Sequence, residues 1–233
     1  MPYPFAHPAA VLPLVRPMGR FAAPSALVIG SIVPDLWYFV PFVEREASHS
    51  MAGLLWFCLP LGVAAYVLFH RVFKQPLIAL LSSRLAGFTR PGLPPATWTA
   101  VALSVFVGAA THVVWDELTH WADYSGGHNV PQHVSTALGS AILMAWLWRK
   151  LRNAPAVAIP GAISPAKRAC TIGILAAVTA ICAASPMLSG SPSGARDVEA
   201  LRQMLRISGF AAILGLSLAL FVYCAIWQLG KKR

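Results

Sequence analysis

The run Gly108-Ala-Ala-Thr-His112-Val-Val-Trp-Asp116-Glu-Leu-Thr-His120 sets three ionisable side chains four residues apart. On a helix, positions i, i+4 and i+8 drift by only about 40° per step, so His112, Asp116 and His120 would share one face. Neighbours at that spacing can chelate one divalent ion. Imidazole and carboxylate together suit zinc, manganese or iron. A metal with an open position lowers the pKa of bound water and polarises an ester or phosphoryl oxygen. Metal-dependent hydrolysis is therefore the first chemistry these residues suggest, with zinc as the first choice of ion.

Further groups of the same kind accompany this run: Pro34-Asp35, Ser48-His49-Ser50, and His128 with Gln132 and His133. His7 stands in the apolar segment Phe5-Ala-His7-Pro-Ala-Ala-Val-Leu-Pro-Leu, too short to cross a bilayer. The metal-ligand candidates are thus His7, Asp35, His49, His112, Asp116, His120 and His133, and Glu117 or Asp123 is placed to serve as general base. Plainer roles exist for each. His112 and Asp116 could be an interhelical hydrogen-bonded pair, Asp35 a cap or a pairing group within a bundle, and His128 a solvated loop residue. His70, beside Arg71, could meet a helix C-terminus. All seven histidines lie at or before His133, and the only acids from Leu151 onward are Asp197 and Glu199. Any chemistry belongs to residues 1–133.

The elements that must hold these residues follow from composition. The 233-residue chain is 57% hydrophobic and 11% charged, with a mean hydropathy of +0.64, whereas soluble domains are about 25% charged. That excludes a water-soluble globular enzyme. Six apolar stretches, 25–43, 51–70, 97–115, 133–148, 170–188 and 207–229, fit serial crossings of a hydrocarbon core about 30 Å thick. The prediction is an all-α, multi-pass membrane protein with about six transmembrane helices. The first stretch lacks a small-residue cleavage site after it and reads as a retained span. Residues 1–150 form the motif-bearing region with spans one to four, and 151–233 hold packing spans five and six. The four cysteines all lie in apolar stretches without a Cys-x-x-Cys pair and read as small hydrophobes.

The net charge of +10 is a matter of topology. Fourteen of the 18 Lys and Arg residues fall near positions 16–20, 71–90, 149–168 and 231–233. With six spans these segments share one side, which the positive-inside rule makes cytoplasmic. Both termini are then inside, in a bacterial inner (cell) membrane. Glu44, Arg45, Glu46, Glu117 and Asp123 fall in the opposite loops, so the His/Asp groups converge at the outer face, with Asp35 about 12 Å below the outer end of its span. His7 alone is misplaced by this topology and reaches the others only through a re-entrant segment buried in protein. Trp37, Tyr38, Trp115, Trp121 and Tyr124 on one side and Trp146, Trp148 and Trp227 on the other suit an interfacial belt. Membrane lipid is the implied partner. No nucleic-acid module is visible, and the sequence names no protein partner or oligomeric state.

The segments Phe5-Ala-His7-Pro-Ala-Ala-Val-Leu-Pro-Leu, Ile29-Gly-Ser-Ile-Val-Pro-Asp35, Ser48-His49-Ser50, Phe57-Cys-Leu-Pro-Leu-Gly62, Phe69-His-Arg71 and Thr111-His112-Val-Val-Trp-Asp116 resemble a bacterial membrane family catalogued as domain of unknown function 4184, over nearly the whole chain. More distantly, the chain is similar to membrane-bound metal-dependent hydrolases related to zinc-dependent phospholipase C. That resemblance implies a ligand set of His7, Asp35, His49, His112 and Asp116. Where the hydrolase pattern has a second acid after Pro-Asp and a His-Arg-Gly before Thr-His-Ser, this chain has Leu36-Trp37 and Glu46-Ala47. The expected function is hydrolysis of a lipid or other phosphoester. The alternatives are a transporter or proton relay lined by the same groups, and a non-catalytic structural or partner-binding membrane protein.

Overall fold

A computed structural model of the chain describes residues 6–81, 83–88, 96–124, 130–159, 163–188 and 198–230, and within these the side chains of 84, 87, 88, 121–124, 198–200 and 202 lie outside the description. Among the described residues every regular element is helical. In chain order these are α1 (Pro8–Val11), α2 (Val15–Met18), α3 (Pro24–Gly30), a 3-10 segment (Val33–Phe39) and α4 (Arg45–Ser48). Then come α5 (Met51–Leu80), α6 (Ser83–Phe88), α7 (Trp98–Tyr124), α8 (Val130–Arg152), α9 (Pro165–Leu188) and α10 (Val198–Gly230).

Four helices are long and apolar enough to cross a membrane: Met51–Leu80, Trp98–His120, Pro165–Leu188 and Gln203–Gly230. They correspond to four of the six stretches expected from hydropathy. The stretch 133–148 lies within α8, a helix of 23 residues whose polar positions Gln132, His133, Ser135, Thr136 and Ser140 keep it out of that set. The stretch 25–43 is not one helix. Here α3 stops at Gly30 and a tighter 3-10 segment runs over 33–39. Pro34 supplies the reason, since its ring clashes with the carbonyl of Gly30 and the α conformation is disfavoured for Val33 before it. Asp35 therefore sits buried in the first turn of a short 3-10 segment rather than partway along a spanning helix.

No residue of α9 is buried, although it exposes Ile172, Ile174, Ile181, Met187 and Leu188. In water such surface costs about 25 cal/mol per Å², and soluble monomers rarely leave so much of it contiguous. A bilayer removes that cost, and the four helices mark a membrane protein.

The chain divides into two compact units, Met1–Phe69 with Arg90–Pro155, and His70–Thr89 with Ala156–Arg233. In the second unit α9 and α10 pack closely enough that a Cβ on Gly215 would overlap Cys182 Sγ. The Tyr223 hydroxyl donates to Pro76 O at 3.1 Å, and Gln228 Nε2 donates to Arg71 O and Val72 O, each at 3.1 Å.

In the first unit α3 lies directly on α7. A Cβ on Gly30 would overlap the Val105 carbonyl oxygen, and one on Gly108 would overlap that of Leu27. Small residues that let backbones touch are the usual means of helix association in lipid, where no hydrophobic force separates helix from solvent. Ser104 on α7 fixes the entry to α3, accepting from Ala23 N–H at 2.8 Å and donating to Phe21 O at 3.2 Å. Around this contact Ala23, Ala26, Val101 and Val105 form one apolar cluster, and Val33, Leu54, Phe57, Cys58 and Ala109 form another.

Candidate metal centre

The α3–α7 contact brings the carbonyl of Ser31, just past the end of α3, within 2.8 Å of His112 Nδ1. A carbonyl only accepts, so Nδ1 carries the proton and the lone pair of Nε2 faces inward. His49 is fixed in the same sense by the turn between α4 and α5. Ser50 caps α5, accepting from Gly53 N–H at 2.9 Å and donating to Ala47 O at 2.9 Å. Gly53 lies so close to the Ala47 carbonyl that no Cβ would fit there. His49 Nδ1 is 3.1 Å from Arg45 O and 2.9 Å from Ser48 Oγ, which itself donates to Arg45 O at 2.9 Å. The proton again belongs on Nδ1, and Nε2 is left bare. The two serines of Ser48-His49-Ser50 thus shape the turn and orient the imidazole between them.

Five side chains meet at this point. Asp35 Oδ1 is 3.5 Å from His112 Nε2 and 3.6 Å from His49 Nε2, and Asp116 Oδ2 is 3.7 Å from His49 Nε2. The His7 ring lies against that of His112 at a centroid separation of 3.8 Å. Relative exposure is 4% for His7, 5% for Asp35 and 1% for both His112 and Asp116. Both ring nitrogens of His7, Nε2 of His49 and His112, and Oδ1 of Asp35 and Asp116 are buried without a hydrogen-bond partner. Ligand atoms of His7, Asp35 and His112 all lie within 4.8 Å of one another, as do those of His49, His112 and Asp116.

These distances bear on what the cluster is for. A charged imidazolium–carboxylate hydrogen bond closes to about 2.7–2.9 Å, and a neutral one to about 3 Å. At 3.5 to 3.7 Å the pairs are too long for either. Two ligands of a tetrahedral zinc ion, each about 2.05 Å from it, are by geometry about 3.4 Å apart. The observed separations of 3.5 to 3.7 Å fall close to that value. Lone pairs of three imidazoles and two carboxylates turned on one another also repel unless a cation lies between them.

Burial lowers His7 from its ordinary value to about 4, so its ring is neutral and available as a ligand near pH 7.

The remaining candidates lie apart from the five. His120 folds back on its own helix, with Nδ1 2.8 Å from Asp116 O and 3.4 Å from Asp116 Oδ1, so it flanks Asp116. His133 on α8 and Glu117 on α7 are exposed and belong to neither group of ligand atoms. The side chain of Asp123, and His128 entirely, lie outside the described residues. One residue of the cluster's surroundings escapes sequence reasoning, which counts Arg45 as a loop charge. Its Nη2 pairs with Asp116 Oδ2. The available signal was its position four residues before His49, one helical turn away, as the single cation between Glu44 and Glu46.

Fold and site together define a helical membrane protein with a buried His/Asp cluster in its N-terminal half. The chain belongs to the family described as a domain of unknown function (DUF4184), which matches residues 1–128. All five clustered residues fall inside the match, which stops well short of the near-complete coverage suggested by resemblance. No curated protein and no solved structure is significantly similar to the chain.

Proposed function

We propose that His7, Asp35, His49, His112 and Asp116 form a divalent metal centre, with zinc the best-suited ion, and that the protein is a membrane-bound hydrolase of a lipid or other phosphoester. The observation that carries this reading is the set of buried, unpartnered nitrogen and oxygen atoms converging at ligand-to-ligand distances. Each orphaned polar atom costs about 1–3 kcal/mol, a cost that a bound cation removes. The donor set fits a borderline ion, and the backbone carbonyls on His49 and His112 are the outer partners that metal-ligating histidines require. When bound, the ion would supply Lewis acidity and a nucleophilic water at neutral pH. The chain's own part is to hold the imidazoles in the Nε2-bare tautomer and to keep two carboxylates dry.

The lipid half of the reading draws on an apolar groove of about 560 Å³ lined by Ala9, Pro13, Phe106, Ala110, Val114 and Leu118. It is formed by α1, α7 and Ile142 of α8, with an almost wholly apolar lining that includes none of the five clustered residues. The distribution of Lys and Arg supports placement at the outer face of the inner membrane.

Metal analysis of detergent-purified protein tests the centre. Wild-type protein should carry at least one equivalent of zinc or a similar ion, and His112→Ala and Asp116→Ala should each lose most of it. Equal metal content in all three would overturn the assignment.

A further inference from the structure

Arg45 uses only part of its hydrogen-bonding capacity. Its Nη2 pairs with Asp116 Oδ2, its side chain keeps 26% of its exposure against 1% for that carboxylate, and its Nε is buried with no partner. A residue whose whole task was to neutralise Asp116 would offer both arms of the fork, the stronger arrangement. A guanidinium has five donors in one plane and matches an oxyanion better than any other side chain. Among the described residues Arg45 is also the only Lys or Arg paired with the cluster.

Charge points the same way. With neutral imidazoles, the two carboxylates and Arg45 leave the site at a net charge of −1, and one divalent ion turns that to +1. A buried site of positive sign attracts an anion, and a partly exposed guanidinium at its edge is where the anion meets the protein.

We propose that Arg45 is the anion-binding residue of this site and that the substrate is a phosphoester whose non-bridging oxygens engage the unused arm of the guanidinium. The proposal rests on the metal centre and adds the residue that holds the phosphate of its substrate. A lipid headgroup and a soluble phosphoester share this chemistry.

The probe is inorganic phosphate, titrated by calorimetry into metal-loaded and metal-stripped protein in detergent. Arg45→Met should keep the wild-type metal content and lose phosphate affinity by roughly 10- to 100-fold, the loss expected for charge-assisted hydrogen bonds. Arg45→Lys should fall between. In wild-type protein, phosphate should slow modification of Arg45 by phenylglyoxal, read by mass spectrometry, which keeps the proposal testable if a variant fails to fold. Unchanged phosphate affinity in Arg45→Met, loss of metal from that variant, or unprotected Arg45 would each overturn it. Wild-type protein that takes up no metal overturns the metal centre and the Arg45 assignment with it, whereas full metal content with phosphate binding independent of Arg45 overturns the Arg45 assignment alone. A short-chain phosphatidic acid and glycerol phosphate distinguish the two sources. Tighter binding of the lipid assigns the site to lipid and equal binding to the headgroup alone, with dependence on Arg45 required in both.

Discussion

At the scale of single residues, orientation decides the site. A free imidazole can turn either nitrogen to a metal, but His49 and His112 each have Nδ1 committed to a backbone carbonyl. Ser48 adds a second partner to His49 and is itself fully buried. Ser48→Ala should cost about 1 kcal/mol of stability and weaken metal binding by roughly ten-fold, the usual result of removing an outer hydrogen bond from a ligating histidine. Competition with a chromophoric chelator measures this, and unaltered affinity would exclude His49 as a ligand. Glu117 and His133 stand exposed and away from the ligand atoms. Glu117→Gln and His133→Gln should therefore keep wild-type metal content, and loss of metal from either would extend the ligand set. The four-residue period of His112 and Asp116 was legible in the sequence because both lie on one uninterrupted helix. His120 shares that period yet bonds to its own helix, and Arg45 stands one turn before His49 but pairs with Asp116 on a distant helix. Contacts made across a turn or between distant segments leave no local pattern to read.

At the scale of elements, the site depends on how closely α3 approaches α7. The carbonyl of Ser31 reaches His112 only because Gly30 and Gly108 let the two backbones meet. Gly108→Ala places a methyl group onto the Leu27 carbonyl oxygen, and neither backbone can yield as a flexible side chain would. We expect a loss of about 1–3 kcal/mol, as for other overpacked contacts, with metal content falling alongside thermal stability. Gly173→Ala is the control, since nothing lies within 4 Å of its added Cβ. It should be neutral or stabilising by up to about 1 kcal/mol, as Ala exceeds Gly in helix propensity. Equal behaviour of the two variants in a thermal-shift assay would show that the α3–α7 contact is not needed. Hydropathy alone reveals the long helices α5, α7, α9 and α10. It misjudges 25–43, where apolar residues are plentiful but Pro34 divides the helix, and a running average of hydropathy does not register a missing N–H. The same break explains His7. With no continuous helix through 25–43, the segment that starts at α1 can pack its imidazole on His112, an arrangement that six straight crossings did not provide.

At the scale of the whole molecule, the open question is which way the first unit faces, and the charges near its helix ends frame the test. The last turn of α8 carries Arg149, Lys150 and Arg152, whereas the described part of α7 beyond Asp116 shows the exposed acid Glu117 and no Lys or Arg. The chain joins these helices through 125–129, and the Trp115 indole N–H donates to Ser135 Oγ across the junction. The junction and the basic turn are therefore at opposite ends of the pair. Lys and Arg near span ends are retained on the cytoplasmic side, and each gains about 1 kcal/mol from anionic lipid there. The positive-inside rule therefore predicts that the α7–α8 junction, with the cluster near it, faces outward. A cysteine placed at the exposed position 117 by Glu117→Cys, in a background without the four native cysteines, should react with a membrane-impermeant maleimide applied to intact cells. Arg152→Cys in the same background should react only after the membrane is opened. The reverse pattern would put the cluster at the cytoplasmic face, and a hydrolase there would draw its phosphoester from the inner leaflet or from the cytosol.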